Sequence, residues 1–110
     1  MPLNTPDGRY LIVRGRLWRR ADPTLEEAER RSAVDALMHA RRAVKAAIAK
    51  SDAEALRSAR SDVDNVKRRL GERGPVWWTD GAPDYGRRLA ANTPYAEWWR
   101  LAAADEDAAP

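Results

Sequence analysis

Between Ala53 and Gly71 the apolar residues fall at Leu56, Ala59, Val63, Val66 and Leu70, an unbroken alternation of three- and four-residue steps. That period keeps one stripe of an α-helix turned toward one neighbour along its whole length, and Gly71 follows as a natural C-terminal cap. Directly upstream, Ser51-Asp52-Ala53-Glu54 reads as a capping box, with Ser51 capping and Glu54 reaching back. Another helical segment ends just before it. Thr24-Leu25-Glu26-Glu27 is a capping box after Asp22-Pro23, and the helix it opens runs to about Lys50. Val34, Leu37, Val44 and Ile48 form its apolar stripe, interrupted by Arg41 and flanked by Ala33, Ala40 and Ala47. Two helices joined so closely must be antiparallel neighbours, with arms roughly 30–40 Å long at about 1.5 Å per residue.

Ahead of the hairpin, Arg9-Tyr-Leu-Ile-Val-Arg-Gly-Arg-Leu-Trp-Arg-Arg20 follows the turn signal Pro6-Asp7-Gly8 and is rich in strand formers. As one strand it presents Leu11, Val13 and Leu17 on one face and Tyr10, Ile12, Arg14, Arg16 and Trp18 on the other. Gly15 marks either a bulge or the tip of a tight hairpin. A strand needs a partner, and Pro75-Val-Trp-Trp-Thr79 is the other short β-prone run, so 75–79 or a second copy is the expected mate. Asp84 is placed to cap a short helix through Ala91, and Thr93-Pro94 opens a last helix bearing Trp98, Trp99 and Leu101. The predicted class is mainly α: an antiparallel two-helix hairpin with a small β element over about 9–19 and a short C-terminal helix. All of it falls in a single domain over 1–110, with 1–8 and 102–110 frayed.

The chain is 110 residues long, enough for one small core. Ala makes up 21 of its apolar residues, so the material for packing is thin and the five Trp matter more than their number suggests. The absence of Cys excludes disulfides, thiolate nucleophiles and Cys-ligated zinc, and fits a reducing compartment. Nothing reads as a leader or a membrane span, so a cytoplasmic protein with no membrane partner is expected. The pI near 9.7 matters less than its distribution: residues 1–20 hold Arg9, Arg14, Arg16, Arg19 and Arg20 against Asp7, whereas the two helical segments are nearly balanced.

Catalytic chemistry has little to stand on. His39 is the sole histidine, Ser32 lies too far along the same helix to partner it, and no phosphate-binding Gly motif occurs. Asp80 and Asp84 lack the other ligands of a calcium loop and read as a turn followed by a cap; Asp62 and Asp64, two apart on a helix, do not converge. No enzyme activity, cofactor or metal is expected. Two binding surfaces are. Trp77, Trp78, Tyr85, Trp98 and Trp99 are candidates for a protein interface, since Trp is prominent in binding hot spots; the plainer reading is that these rings close the open side of the hairpin. Arg9, Tyr10, Arg14, Arg16, Trp18, Arg19 and Arg20 combine cations for phosphates with rings for base stacking, as single-stranded nucleic acid requires; the plainer reading is a covered strand with Arg stems along rings.

Gly-Glu-Arg-Gly-Pro-Val-Trp-Trp-Thr-Asp-Gly-Ala-Pro-Asp-Tyr (71–85) and Asn-Thr-Pro-Tyr-Ala-Glu-Trp-Trp (92–99), with the basic-aromatic run at the front, resemble a group of small uncharacterised bacterial proteins over nearly the whole length. The resemblance implies a bacterial, cytosolic origin and assigns no activity. The leading expectation is therefore a non-enzymatic module that self-associates, as a homodimer for instance, or binds another protein; nucleic-acid binding through the N-terminal strand is the alternative.

Overall fold

The computed structural model describes residues 3–108, excepting the side chains of 104–108. Helices dominate, at 51% of the chain, beside one small antiparallel sheet. The chain divides into two compact units: the residues up to Arg20 together with those from Trp78 onward, and the intervening Ala21–Trp77.

The Ala21–Trp77 unit is the expected hairpin of α1 (Glu27–Ala49) and α2 (Ala53–Leu70). The α2 stripe falls where the sequence places it: Ala59, Val66 and Leu70 are buried and Leu56 and Val63 half-buried. The α1 stripe does not. Its buried positions are Ala33, Leu37, Ala40 and Ala47, while Val34 and Ile48 are exposed, Ile48 to 57%. The run Ala33, Leu37, Ala40, Val44, Ala47 keeps the same alternating steps as α2, and small side chains on it let the partner helix approach. Leu37 and Ala33 meet Val66 and Leu70 in one buried cluster, with Leu25, Ala36 and Val63 at its edge.

Both predicted capping boxes are corrected. Thr24 donates its hydroxyl to the Asp22 carboxylate (2.7 Å) in an Asx turn, so α1 starts later, at Glu27, with no side-chain cap. Between the helices Ser51 takes a left-handed backbone (φ 52°), its N–H donating to the Ile48 carbonyl (3.1 Å) and that of Asp52 to the Ala47 carbonyl (3.0 Å). These paired bonds close α1 in a Schellman motif. Asp52, not Ser51, then caps α2 by accepting from the Ala55 amide (3.0 Å). The far end of α2 repeats the device as expected: Gly71 has φ 85° and Glu72 N–H reaches the Lys67 carbonyl (2.9 Å). A Cβ on Gly71 would stand 3.1 Å from the Asp22 Cβ and from the Trp77 ring, so space as well as backbone requires glycine there.

The other unit carries a three-stranded antiparallel sheet in the order β1 (Leu3–Asn4), β2 (Tyr10–Val13), β3 (Arg16–Arg19), followed by a 3-10 turn at Ala90–Asn92 and α3 (Ala96–Ala108). Residues 3–8, expected to fray, hold β1 and the turn around buried Thr5, and 102–108 lie within α3; residues 1–2 and 109–110 lie outside the described residues.

Of the two uses open to Gly15, a bulge in one strand over 9–19 or a hairpin tip, the chain takes the hairpin. Val13 pairs with Arg16 across a two-residue loop in which Arg14 (φ 54°) and Gly15 (φ 81°) both have positive φ, the type I′ geometry that matches strand twist. Nor does 75–79 join the sheet. One edge of β2 is taken by β1, and the free edge of β3 is filled from 87–90: Leu17 N–H donates to the Arg88 carbonyl (2.9 Å) and Ala90 N–H to the Gly15 carbonyl (2.8 Å), with Leu89 bridging Arg16. That extended course, with Arg87 at φ 72°, also replaces the short helix predicted from Asp84 to Ala91.

Candidate functional site

A two-residue turn reverses which residues share a face. In one continuous strand Tyr10, Ile12, Arg16 and Trp18 lie together; after the turn Tyr10 faces Arg19 and Ile12 faces Leu17, while Leu11 faces Trp18 and Val13 faces Arg16. Tyr10 and Leu17 are fully buried, Ile12 and Arg19 nearly so. The predicted basic-aromatic face is thus split into an inner and an outer set.

The inner set builds a polar cluster inside an aromatic one. Tyr10 packs edge-to-face with Trp78 and with Tyr95, both at 5.7 Å between ring centres, and Tyr95 likewise with Tyr85 at 6.3 Å. The Tyr10 hydroxyl accepts from the Tyr85 amide (2.8 Å) and donates to Asp84 (3.3 Å). Asp84 also accepts from Arg19 (2.9 Å), whose side chain is 2% exposed, and from the Gly86 amide (2.8 Å). Arg9 pairs with Asp80 and lies over the Trp78 ring at 4.7 Å, while the Trp78 indole N–H donates to the Ala82 carbonyl (2.7 Å). Burial pushes the Tyr10 phenol up to about 12, the Asp84 charge adding to it. Tyr95 is pushed up by burial and by donating to Asp7 (2.5 Å). Burial raises the Asp7 carboxyl, but hydrogen bonds from Tyr95, Thr5 and the Arg9 amide outweigh it and hold it below the usual carboxylate range. The Arg9 guanidinium holds Asp80 low as well.

These groups satisfy one another. Asp80 and Asp84 each serve an arginine and a turn amide, so they do not converge, and among the described residues no group of three His, Cys, Asp or Glu side chains is placed to hold a metal. His39 is exposed on α1. Asp64 is held low by hydrogen bonds from Arg68 and Arg73 (each 2.9 Å).

Of the rings expected at a protein interface, Trp78 is buried, and Trp77, Tyr85, Trp98 and Trp99 are half-buried. Trp99 lines a shallow depression of about 430 Å³ with Ala91, Ala96, Glu97 and Arg100. Of the residues expected to meet nucleic acid, Tyr10 and Arg19 are withdrawn and Arg9 is engaged with Asp80, while Arg20 donates to the Gly8 carbonyl (3.4 Å).

The outer set stays accessible. Trp18 and Val13 are each 41% exposed, Leu11 is half-buried, and Arg16 is exposed with one guanidinium N–H on the Arg87 carbonyl (3.0 Å). Arg14 stands in the turn, and Leu89, bridged to Arg16, adds an exposed apolar side chain to this face, while exposed Arg87 and Arg88 lie opposite inward-facing Leu17, the Arg88 guanidinium 6.0 Å from the Tyr85 ring. The placement of 87–90 carries no sequence signal, because only long-range pairing brings the segment to β3. Among the described side chains none of Arg14, Arg16, Arg87 and Arg88 forms an ion pair. No described helix is long and apolar enough to cross a membrane. No family model, curated protein or solved structure matches the chain.

Proposed function

We propose that the protein is a non-enzymatic nucleic-acid-binding module that works through the outer face of its sheet. One observation carries the reading: exposed Trp18 shares the outer face with Arg16, next to Arg14 in the turn, cations with no carboxylate partner among the described side chains, whereas Arg9 and Arg19 each have one. Cations left unneutralised beside an exposed ring suit a phosphate chain that also offers bases. The bacterial, cytosolic setting implied by the resemblance belongs to the same proposal. The test is binding of a labelled mixed-sequence oligonucleotide at rising salt. Two phosphate contacts on a single strand give a log–log slope of about −1.4, and the double variant Arg14→Glu/Arg16→Glu abolishes most of the affinity. A binding isotherm indifferent to salt counts against the reading.

A second reading, a protein-interaction or self-association module, is favoured by Val34, Met38 and Ile48, which are exposed on one side of α1. Sedimentation equilibrium tests it. A dimer that persists at high salt and dissociates in Met38→Glu supports it, and a monomer at all accessible concentrations removes self-association.

A further inference from the structure

We infer that the nucleic acid bound by the outer sheet face is single-stranded, with an unpaired base stacked on Trp18. This rests on the nucleic-acid reading above and goes beyond it in choosing the strand state. Charge complementarity identifies the occupant as polyanionic: Arg16 on the outer face and Arg14 in the turn before it are exposed, with no carboxylate within ion-pair distance among the described side chains. One of these cations stands where the backbone itself disfavours it. Arg14 at φ 54° occupies a left-handed conformation in which glycine or asparagine is less strained, so the fold alone gives no reason for arginine there.

The shape of the sheet decides between one strand and two. A duplex read by strands takes a two-stranded ribbon into its major groove, roughly 12 Å wide. Here the ribbon cannot enter. At the level of Ile12 and Leu17 the sheet is four chains wide, β1, β2, β3 and the 87–90 segment, which at about 4.8 Å per chain spans roughly 14 Å before side chains are added. On this face the exposed Trp18 ring is flanked across the strands by Leu11 and diagonally by Val13. In a duplex both faces of every internal base are covered by neighbours. An unpaired base can turn its π-face onto the Trp18 indole while its phosphates meet the flanking guanidinium groups. Arg16 lies two residues along β3 from Trp18, about 6.7 Å, close enough for one nucleotide to engage both.

The experiment uses fluorescence anisotropy with the full chain and a mixed-sequence oligonucleotide of roughly twelve nucleotides, presented single-stranded and as the annealed duplex, with polyglutamate as a competitor. The single strand is expected to bind at least about tenfold more tightly than the duplex. Trp18→Ala is expected to weaken single-strand binding by about 5- to 150-fold, the range of one lost base stack, and to leave duplex binding unchanged. Trp18→Phe keeps a ring and retains most of the affinity, which separates lost stacking from lost folding. Equal affinity for both forms, with Trp18→Ala indifferent, overturns the single-strand inference while nucleic-acid binding stands. Failure of both forms to bind at low salt removes both, as does displacement of the oligonucleotide by polyglutamate at equal charge.

Discussion

The hairpin buries Ala33, Ala40, Ala47 and Ala59 along its seam, whereas the sheet unit is gathered around one tyrosine, with Tyr10 touching Trp78, Tyr95, Asp84 and Tyr85. The hairpin is assembled from neighbours. Its helices are joined by Lys50, Ser51 and Asp52, so little chain entropy is lost in bringing them together, and modest alanine contacts suffice. The sheet unit closes over long stretches of chain. Tyr95 reaches Asp7 across 88 residues and Tyr10 reaches Asp84 across 74, so its stability must come from a few large, specific contacts rather than from many small local ones. Damage should accordingly be graded by position along the hairpin and concentrated at Tyr10 in the sheet unit.

Tyr10→Ala is the most direct way to break this contrast. It removes a fully buried ring and leaves Asp84 and the Tyr85 amide without their hydroxyl partner, for an expected loss of about 3–5 kcal/mol. Urea unfolding measures the total, and hydrogen exchange should show protection lost at the β2 and β3 amides. A loss below about 1 kcal/mol would mean that the aromatic cluster repacks and that the tyrosine is not its centre.

Leu37→Ala is the matching cut in the hairpin. Leu37 is the large buried residue of an otherwise alanine-lined α1 stripe, and truncating it against Val66 and Leu70 should cost about 2–3 kcal/mol. Should it prove more damaging than Tyr10→Ala in the same urea titration, the contrast runs the other way.

Alkaline pH separates the units without mutation. The Tyr10 phenol has its pKa raised from 10.0 to about 12 in the folded chain. The folded state therefore holds its proton after the unfolded state has lost it. Stability is fully present below the ordinary value and falls as pH rises from there toward the folded value, by about 2–3 kcal/mol in all. Tyr95 shifts in the same direction. Urea midpoints followed across the alkaline range should fall in the wild type and fall less in Tyr10→Phe; equal slopes would assign the alkaline loss to other groups.

The same contrast explains what could be read from the sequence. The α2 seam and Gly71 were legible because period and cap are local. The α1 stripe was misplaced because hydrophobicity favoured Val34 and Ile48 over alanines, although Ala33, Leu37, Ala40 and Ala47 keep the steps of the α2 seam. In the sheet unit one turn decided everything. With Gly15 at a hairpin tip rather than in a bulge, Tyr10 and Arg19 turn inward and Trp18 and Arg16 outward, and no local pattern chooses between those states. The pairing of 87–90 with β3, which brings Leu89 beside Arg16, depends on contacts some seventy residues apart. It left no period to detect.

Ser51 offers the smallest effect and the cleanest sign. As an N-cap of α2, the role its capping-box position predicts, its replacement by glycine would cost a few tenths of a kcal/mol. In the structure it is instead the left-handed residue that closes α1, at φ 52°, while Asp52 supplies the cap to Ala55. A non-glycine residue in that conformation costs about 1–2 kcal/mol, partly offset by the greater freedom of glycine in the unfolded chain. Ser51→Gly should therefore stabilise the protein by about 0.5–1 kcal/mol, seen as a higher urea midpoint at unchanged slope. Destabilisation would return the cap to Ser51 and put the start of α2 one residue earlier.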